Sequence, residues 1–230
     1  MNETEAFAIA LIGGLFPALC WLWFLLREDS AHPEPRRLIA LAFFGGMITV
    51  AVVIPIQEWV QTFIVTQTLL FTVWSGIEEV FKYIAARITV LWRREDDEPI
   101  DPIIYMVTTA LGFSAIENVL FLLSPLSGDT VFSTIETGDL RFVGATLVHI
   151  LSSSLVGLAL SLTFYRSKTA RRFAVVIGVI LATALHSAFN FFILNTTPEE
   201  TLRVLSFVWI GVIALLAVLE WVKRIAPRFR

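Results

Sequence analysis

Cysteine is almost missing from this 230-residue chain: Cys20 stands alone, so no intrachain disulfide can hold the fold and helix packing must do so. Histidine is nearly as scarce, at three residues, and no HExxH spacing occurs. Low-complexity stretches, internal repeats and any run that reads as a soluble domain are absent too. Charged residues are only 16% of the chain, and nucleic acid is not an expected partner. Basic residues are lacking before the first apolar run: MNETE is acidic, and the AFAIALIGGLFPALCWLWFLL that follows lacks the layout of a secretory signal, so it is expected to be a retained span. Cys20, within that run, reads as a small core or lipid-facing residue.

What fills the chain is apolar: 57% of residues are hydrophobic and the mean hydropathy is +0.78. The apolar residues fall in runs of about twenty, the length that crosses a bilayer as a helix. The pattern predicts an all-α, polytopic transmembrane bundle, one integral membrane domain over 1–230, with spans near 6–26, 38–56, within 59–92, 102–123, 142–164, 173–194 and 204–222. Trp21, Trp23, Trp92 and Trp221 lie near predicted ends, where amphipathic rings favour the interface. Loops after the first, third, fifth and seventh spans hold most of the Lys and Arg, while the opposite loops hold only Arg141 and Arg203. The N-terminus is therefore expected outside and the C-terminus in the cytoplasm. The longest outer connection, SPLSGDTVFSTIETGDLR (124–141), reads as a solvated loop, or as a mobile cover over the helices.

Against this background a few ionisable residues stand out: Glu78, Glu79 and Lys82 in span three, Glu117 in span four, His149 in span five and His186 in span six. Each is costly to hold in a membrane. Counting rise along each helix places Glu79, Glu117, His149 and His186 all roughly 20 Å from the cytoplasmic edge. Four helices thus bring acids and imidazoles to one level in the outer half of the bilayer. Glu78 and Lys82, an i, i+4 pair, predict a lysine counter-ion that keeps one carboxylate ionised while its neighbour does chemistry. Asn190, one turn beyond His186, offers an amide donor for an oxyanion. Ser152, Ser153, Ser154 and Gly157 are expected to pack helices closely. Two chemistries fit such a cluster: a divalent metal held by His and Glu with another Glu as base, or water activated by a Glu without metal.

EEVFK in the form EExxK, FSAIE in the form FxxxE and HSAFN in the form HxxxN resemble the motifs of the PrsW family of intramembrane proteases, within the wider group of Ras-converting CAAX proteases and the APH scaffold subunit of gamma-secretase. HPEPRRLIALAF resembles that family's entry to span two, and His149 falls where a further family histidine is expected. The resemblance runs over 30–195, with a catalytic core over 38–195. It implies a peptidase of a prokaryotic plasma membrane, classed with metallopeptidases, that cuts membrane-anchored proteins such as anti-sigma factors on the extracytoplasmic side. Carried over, Glu78 and Glu79 match the double glutamate, Glu117 the second motif and His186 and Asn190 the third. A zinc ion would then draw on Glu79, Glu117, His149 and His186. A non-catalytic scaffold and a proton-coupled transporter are the competing classes; so many buried acids favour the enzyme.

Overall fold

In a medium without water a chain must satisfy its own backbone polar groups, and apolar runs of this length do so as helices. The computed structural model describes residues 3–27, 32–123, 131–195 and 198–225. Seven helices follow in order: α1 (Glu3–Leu26), α2 (Arg36–Gln61), α3 (Gln67–Thr89), α4 (Asp101–Leu123), α5 (Val131–Leu162), α6 (Lys168–Asn195) and α7 (Pro198–Val222). No strand occurs among the described residues. Among the described residues, six helices are long and apolar enough to cross a membrane. The exception is α3, which has the length but carries Glu78, Glu79, Lys82 and Arg87.

Four boundaries differ from the sequence expectation by five residues or more, among them the starts of α6 and α7, at Lys168 and Pro198 where 173 and 204 were expected. The second helix runs on through Pro55 to Gln61 rather than ending near 56, which brings Gln57 inside it. The connection expected over 124–141 is helical from Val131 onward. Its turn-forming residues, SPLSGDT, are concentrated in 124–130, which lie outside the described residues. Cys20 is exposed on the bundle surface, the lipid-facing alternative.

The bundle is arranged around α4, in which every residue from Asp101 to Ala115 is buried. A helix apolar on all sides belongs in the centre. Helices α1, α2 and α5 pack on it, α6 packs on α5, and α3 leans against α2 on one side and α6 on the other. The α2–α4 crossing is made at glycine in both directions. A Cβ on Gly46 would stand 1.9 Å from the Thr109 carbonyl oxygen, and one on Gly112 would stand 1.9 Å from that of Phe43. These backbones touch, and Gly46 makes its contact from within an unbroken helix. Gly157 plays the expected part on α5, where a Cβ would meet the Ile103 Cα at 2.6 Å.

Helix α3 stops next to Trp92, whose φ of 69° is unusual for a bulky residue and cannot continue a helix. Three contacts hold it there. Its backbone N–H donates to Asp96 Oδ2 at 2.7 Å, the Arg87 guanidinium lies 3.5 Å from its ring centroid, and Arg171 of α6 lies at 5.7 Å. Burial lifts the Asp96 carboxyl above its ordinary value, opposed by that N–H and by Arg171. The clasp fixes the end of α3 against the start of α6, and so sets the height of the charged residues above it.

Gly112→Ala is expected to lower the unfolding midpoint in detergent by an amount equivalent to about 1–3 kcal/mol or more, since a backbone must move. Gly76→Ala is the control: its Cβ would meet Thr183 at 3.4 Å, and the midpoint should stay level or rise. Equal effects of the two substitutions would contradict the proposed backbone contact.

Candidate active site

Adjacent residues on a helix point about 100° apart, and Glu78 and Glu79 use that divergence to reach different partners. Glu79 is wholly buried, as is Lys82. Lys82 Nζ lies 2.7 Å from Glu79 Oε1 and 4.0 Å from Glu78 Oε2. The lysine therefore serves Glu79, not the i, i+4 partner Glu78 that the spacing suggested; both spacings lie on one helix face, and the shorter reach wins. Ser153 Oγ of α5 donates to Glu79 Oε2 at 2.9 Å, and His186 Nδ1 of α6 lies 3.0 Å from Oε1. With three donors from three helices, Glu79 is a satisfied buried carboxylate. Ser153 thus does more than pack. Ser152 and Ser154 bond only to carbonyls of their own helix.

Glu78 is differently placed. Its Oε1 accepts from Gln57 Nε2 of α2 at 2.8 Å, and the backbone carbonyl of Gln57 is itself held by Trp74 Nε1 at 3.2 Å. Its Oε2 is buried with no hydrogen-bond partner and lies 3.7 Å from His186 Nε2. Because Nδ1 of His186 is directed at Glu79, Nε2 is the nitrogen turned toward Glu78, the arrangement by which a carboxylate orients a ligating histidine.

His149 of α5 completes the group. Its ring meets that of His186 edge-on, with centroids 4.7 Å apart. Nδ1 lies 2.8 Å from Lys82 Nζ, and Nε2 lies 2.6 Å from Glu117 Oε2. A lysine ammonium only donates, so Nδ1 accepts and Nε2–H donates to Glu117. Phe113, one turn before Glu117, closes the inner side with its ring centroid 4.6 Å from Lys82 Nζ. The Glu117 side chain keeps 40% of its exposure, whereas those of Glu78, Glu79, Lys82, His149 and His186 keep 7% or less. Glu117 is thus the open edge of an otherwise closed cluster.

One ligand atom each from Glu78, His149 and His186 lie within 4.8 Å of one another, close enough for a metal ion. The orphaned Glu78 Oε2 beside His186 Nε2 is the half of that set ready to coordinate. His149 joins it only by giving up its bond to Lys82 or to Glu117. Glu79, placed in the ligand set from sequence, stands outside it, its oxygens taken by Lys82, His186 and Ser153. Asn190 is half-buried and its Nδ2 rests on Ser75 Oγ at 3.3 Å, beside the cluster and not in it. Gln57 had escaped notice; a lone amide within VIPIQEWV was its signal. Beside Glu117, Asn118 Nδ2 donates to Thr146 Oγ1 at 2.9 Å and Ser114 Oγ to the same oxygen at 3.1 Å, tying α4 to α5 at that level.

The family profile described as PrsW family intramembrane metalloprotease matches residues 34–219. The protease PrsW of Bacillus subtilis (strain 168) is 24% identical over 208 residues, covering 88% of this chain and 91% of the relative. The protease PrsW of Oceanobacillus iheyensis is 28% identical over 213 residues, covering 89% and 92%. No solved structure matches the chain.

Two outcomes test the geometry. Lys82→Met leaves Glu79 charged and buried without its counter-ion, a loss of about 3–5 kcal/mol; the double variant Lys82→Met/Glu79→Gln should recover most of that in the detergent unfolding midpoint. Absence of recovery would mean that the pair is not the anchor. Gln57→Leu, which strips one donor from Glu78, should cost about 1–2 kcal/mol of stability, while Gln57→His, which keeps a donor, should lose less.

Proposed function

Because the chain belongs to the PrsW family of intramembrane proteases, we propose that it hydrolyses peptide bonds of membrane-anchored proteins at the Glu78–Glu117–His149–His186 cluster. A peptidase built into membrane helices displaces the scaffold and transporter alternatives, since the relatives are named proteases. The observation that carries the assignment of the site is the pairing of an unpartnered, buried Glu78 Oε2 with His186 Nε2, beside the accessible Glu117.

In this reading Glu78 Oε2 and His186 Nε2 would hold a divalent ion such as Zn2+, while His149 keeps its bonds to Lys82 and Glu117. When bound, such an ion would polarise a substrate carbonyl and make water acidic near neutral pH. Glu117 is the general base: its side chain is the most exposed of the three carboxylates, and Oε1, the oxygen not bonded to His149, receives the proton of the attacking water. His149 Nε2–H steadies that carboxylate and orients it. Lys82 holds His149 through Nδ1, and Glu79 holds Lys82 and His186, so one buried carboxylate positions both imidazoles. Asn190, one helical turn from His186, supplies an amide N–H toward the developing oxyanion by releasing Ser75. The charge asymmetry of the loops supports a cluster in the extracytoplasmic half of the bilayer with the N-terminus outside, and the substrates of this reading are proteins anchored in the membrane and cut near its outer face, as an anti-sigma factor would be.

Glu78→Gln, Glu117→Gln and His186→Ala should each reduce cleavage of a membrane-tethered reporter by at least about 100-fold, with unfolding midpoints close to wild type for the two glutamine variants. Full activity in all three would remove the enzyme from this site. Metal analysis of the purified chain separates the two chemistries. Stoichiometric zinc that disappears in Glu78→Gln/His186→Ala supports coordination, and undiminished cleavage after chelation overturns it in favour of unaided Glu117.

A further inference from the structure

Helix α7 packs on α5 and scarcely meets α6. The wedge left between α6 and α7, floored by α5, is a cavity of about 640 Å³. Leu155 forms part of its floor, and Phe189, Phe192 and Phe207 line its walls. Its polar lining is confined to three residues. Ser154 Oγ is occupied by the Leu151 carbonyl at 2.7 Å, and Glu200 and Arg203 stand together in the first turns of α7. Arg203 is exposed and has no ion-pair partner among the described residues.

The wedge does not face the catalytic cluster. His149 and His186 direct their ring nitrogens at Lys82, Glu117, Glu78 and Glu79 of α3 and α4, so α5 and α6 turn their opposite faces to the cavity. A substrate helix in the wedge would be cut off from the reactive groups by the α5–α6 contact. Size argues against a helix as well. A spanning helix about 10 Å wide and about 30 Å long occupies more than about 2,000 Å³, whereas cavities of roughly 300–1,000 Å³ with an apolar lining and few polar groups hold small ligands.

We propose that this wedge is a phospholipid site, with an acyl chain in the apolar cavity and the phosphate on Arg203. The guanidinium lies about five residues into α7, roughly 8 Å from its start, a depth suited to a headgroup. A lone arginine on a membrane helix is costly unless it is paired or reaches the interface, and a phosphate oxyanion meets its planar fork with two charge-assisted bonds. The lipid would brace α7 against α6, two helices that make little contact with each other.

Native mass spectrometry of the full chain, released from detergent and titrated with dioleoyl phosphatidylglycerol or with dioleoylglycerol, tests the site. Wild type should retain one molecule of the phospholipid about tenfold more tightly than the phosphate-free lipid. Arg203→Gln should erase that preference. Ala188→Trp, which fills the wedge from α6, should weaken both lipids, and Ala214→Phe, which fills it from α7, gives the same reading should the first variant fold poorly. Equal retention of both lipids by wild type, or unchanged retention in the filled variants, overturns the proposal. So does a wild-type dimer that either filled variant converts to monomer, because a second copy would then be the occupant.

Discussion

A carboxylate and an ammonium held 2.7 Å apart, both with fully buried side chains, form the contact on which the rest of the site is built. In a low-dielectric interior neither Glu79 nor Lys82 is tolerable alone. Together they remain demanding, because the carboxylate has a second oxygen and the ammonium has further protons. Those remaining valences recruit neighbours: Ser153 from α5 and His186 from α6 on the acid, and His149 from α5 on the lysine. One ion pair within α3 therefore dictates where two other helices must put their histidines. It also makes α3, the most polar of the seven helices, the hub of the site.

Such a pair is held in register by packing far from it. The glycine contacts between α2 and α4 let those backbones touch, which brings Gln57 on α2 and Glu117 on α4 to the flanks of α3. At the other end of α3, Trp92 and its two arginines stop the helix and link it to α6. Packing energy in a membrane comes from close approach and not from expelling water, so small residues and a clasped helix end do here what a large apolar core does in water.

The level of the cluster was legible in the sequence, because helical rise is constant and the apolar runs have definite ends. Counting alone brought Glu79, Glu117, His149 and His186 together, and those four are in mutual contact through Lys82 and each other. The assignment within the pair of glutamates was not legible. Lys82 can reach either residue three or four positions before it, and the choice falls to tertiary partners that a linear pattern cannot display. Gln57 was hidden for a related reason: the expected end of span two stopped just short of it, so its amide read as interfacial. The 124–141 connection was misjudged because turn residues in its first part were extended over a helical second part.

The two glutamates end in unlike states, and that difference is the chemical content of the site. Glu79 has every oxygen satisfied and no route to solvent, which suits a positioning group whose charge must never change. Glu78 has one oxygen bonded and one bare, which suits a ligand. Glu117, bonded on one oxygen and 40% exposed, alone combines a hydrogen-bonded imidazole with an exposed side chain. Three carboxylates of one residue type thus differ in burial and partners alone, and the proposed roles of anchor, ligand and base rest on that difference. In the proposed reading a scissile peptide bond would arrive from the exposed edge at Glu117, because Phe113 and Lys82 close the other side. An unfolded or bent stretch of substrate meets that requirement better than an intact helix, whose carbonyls are already bonded within its own backbone.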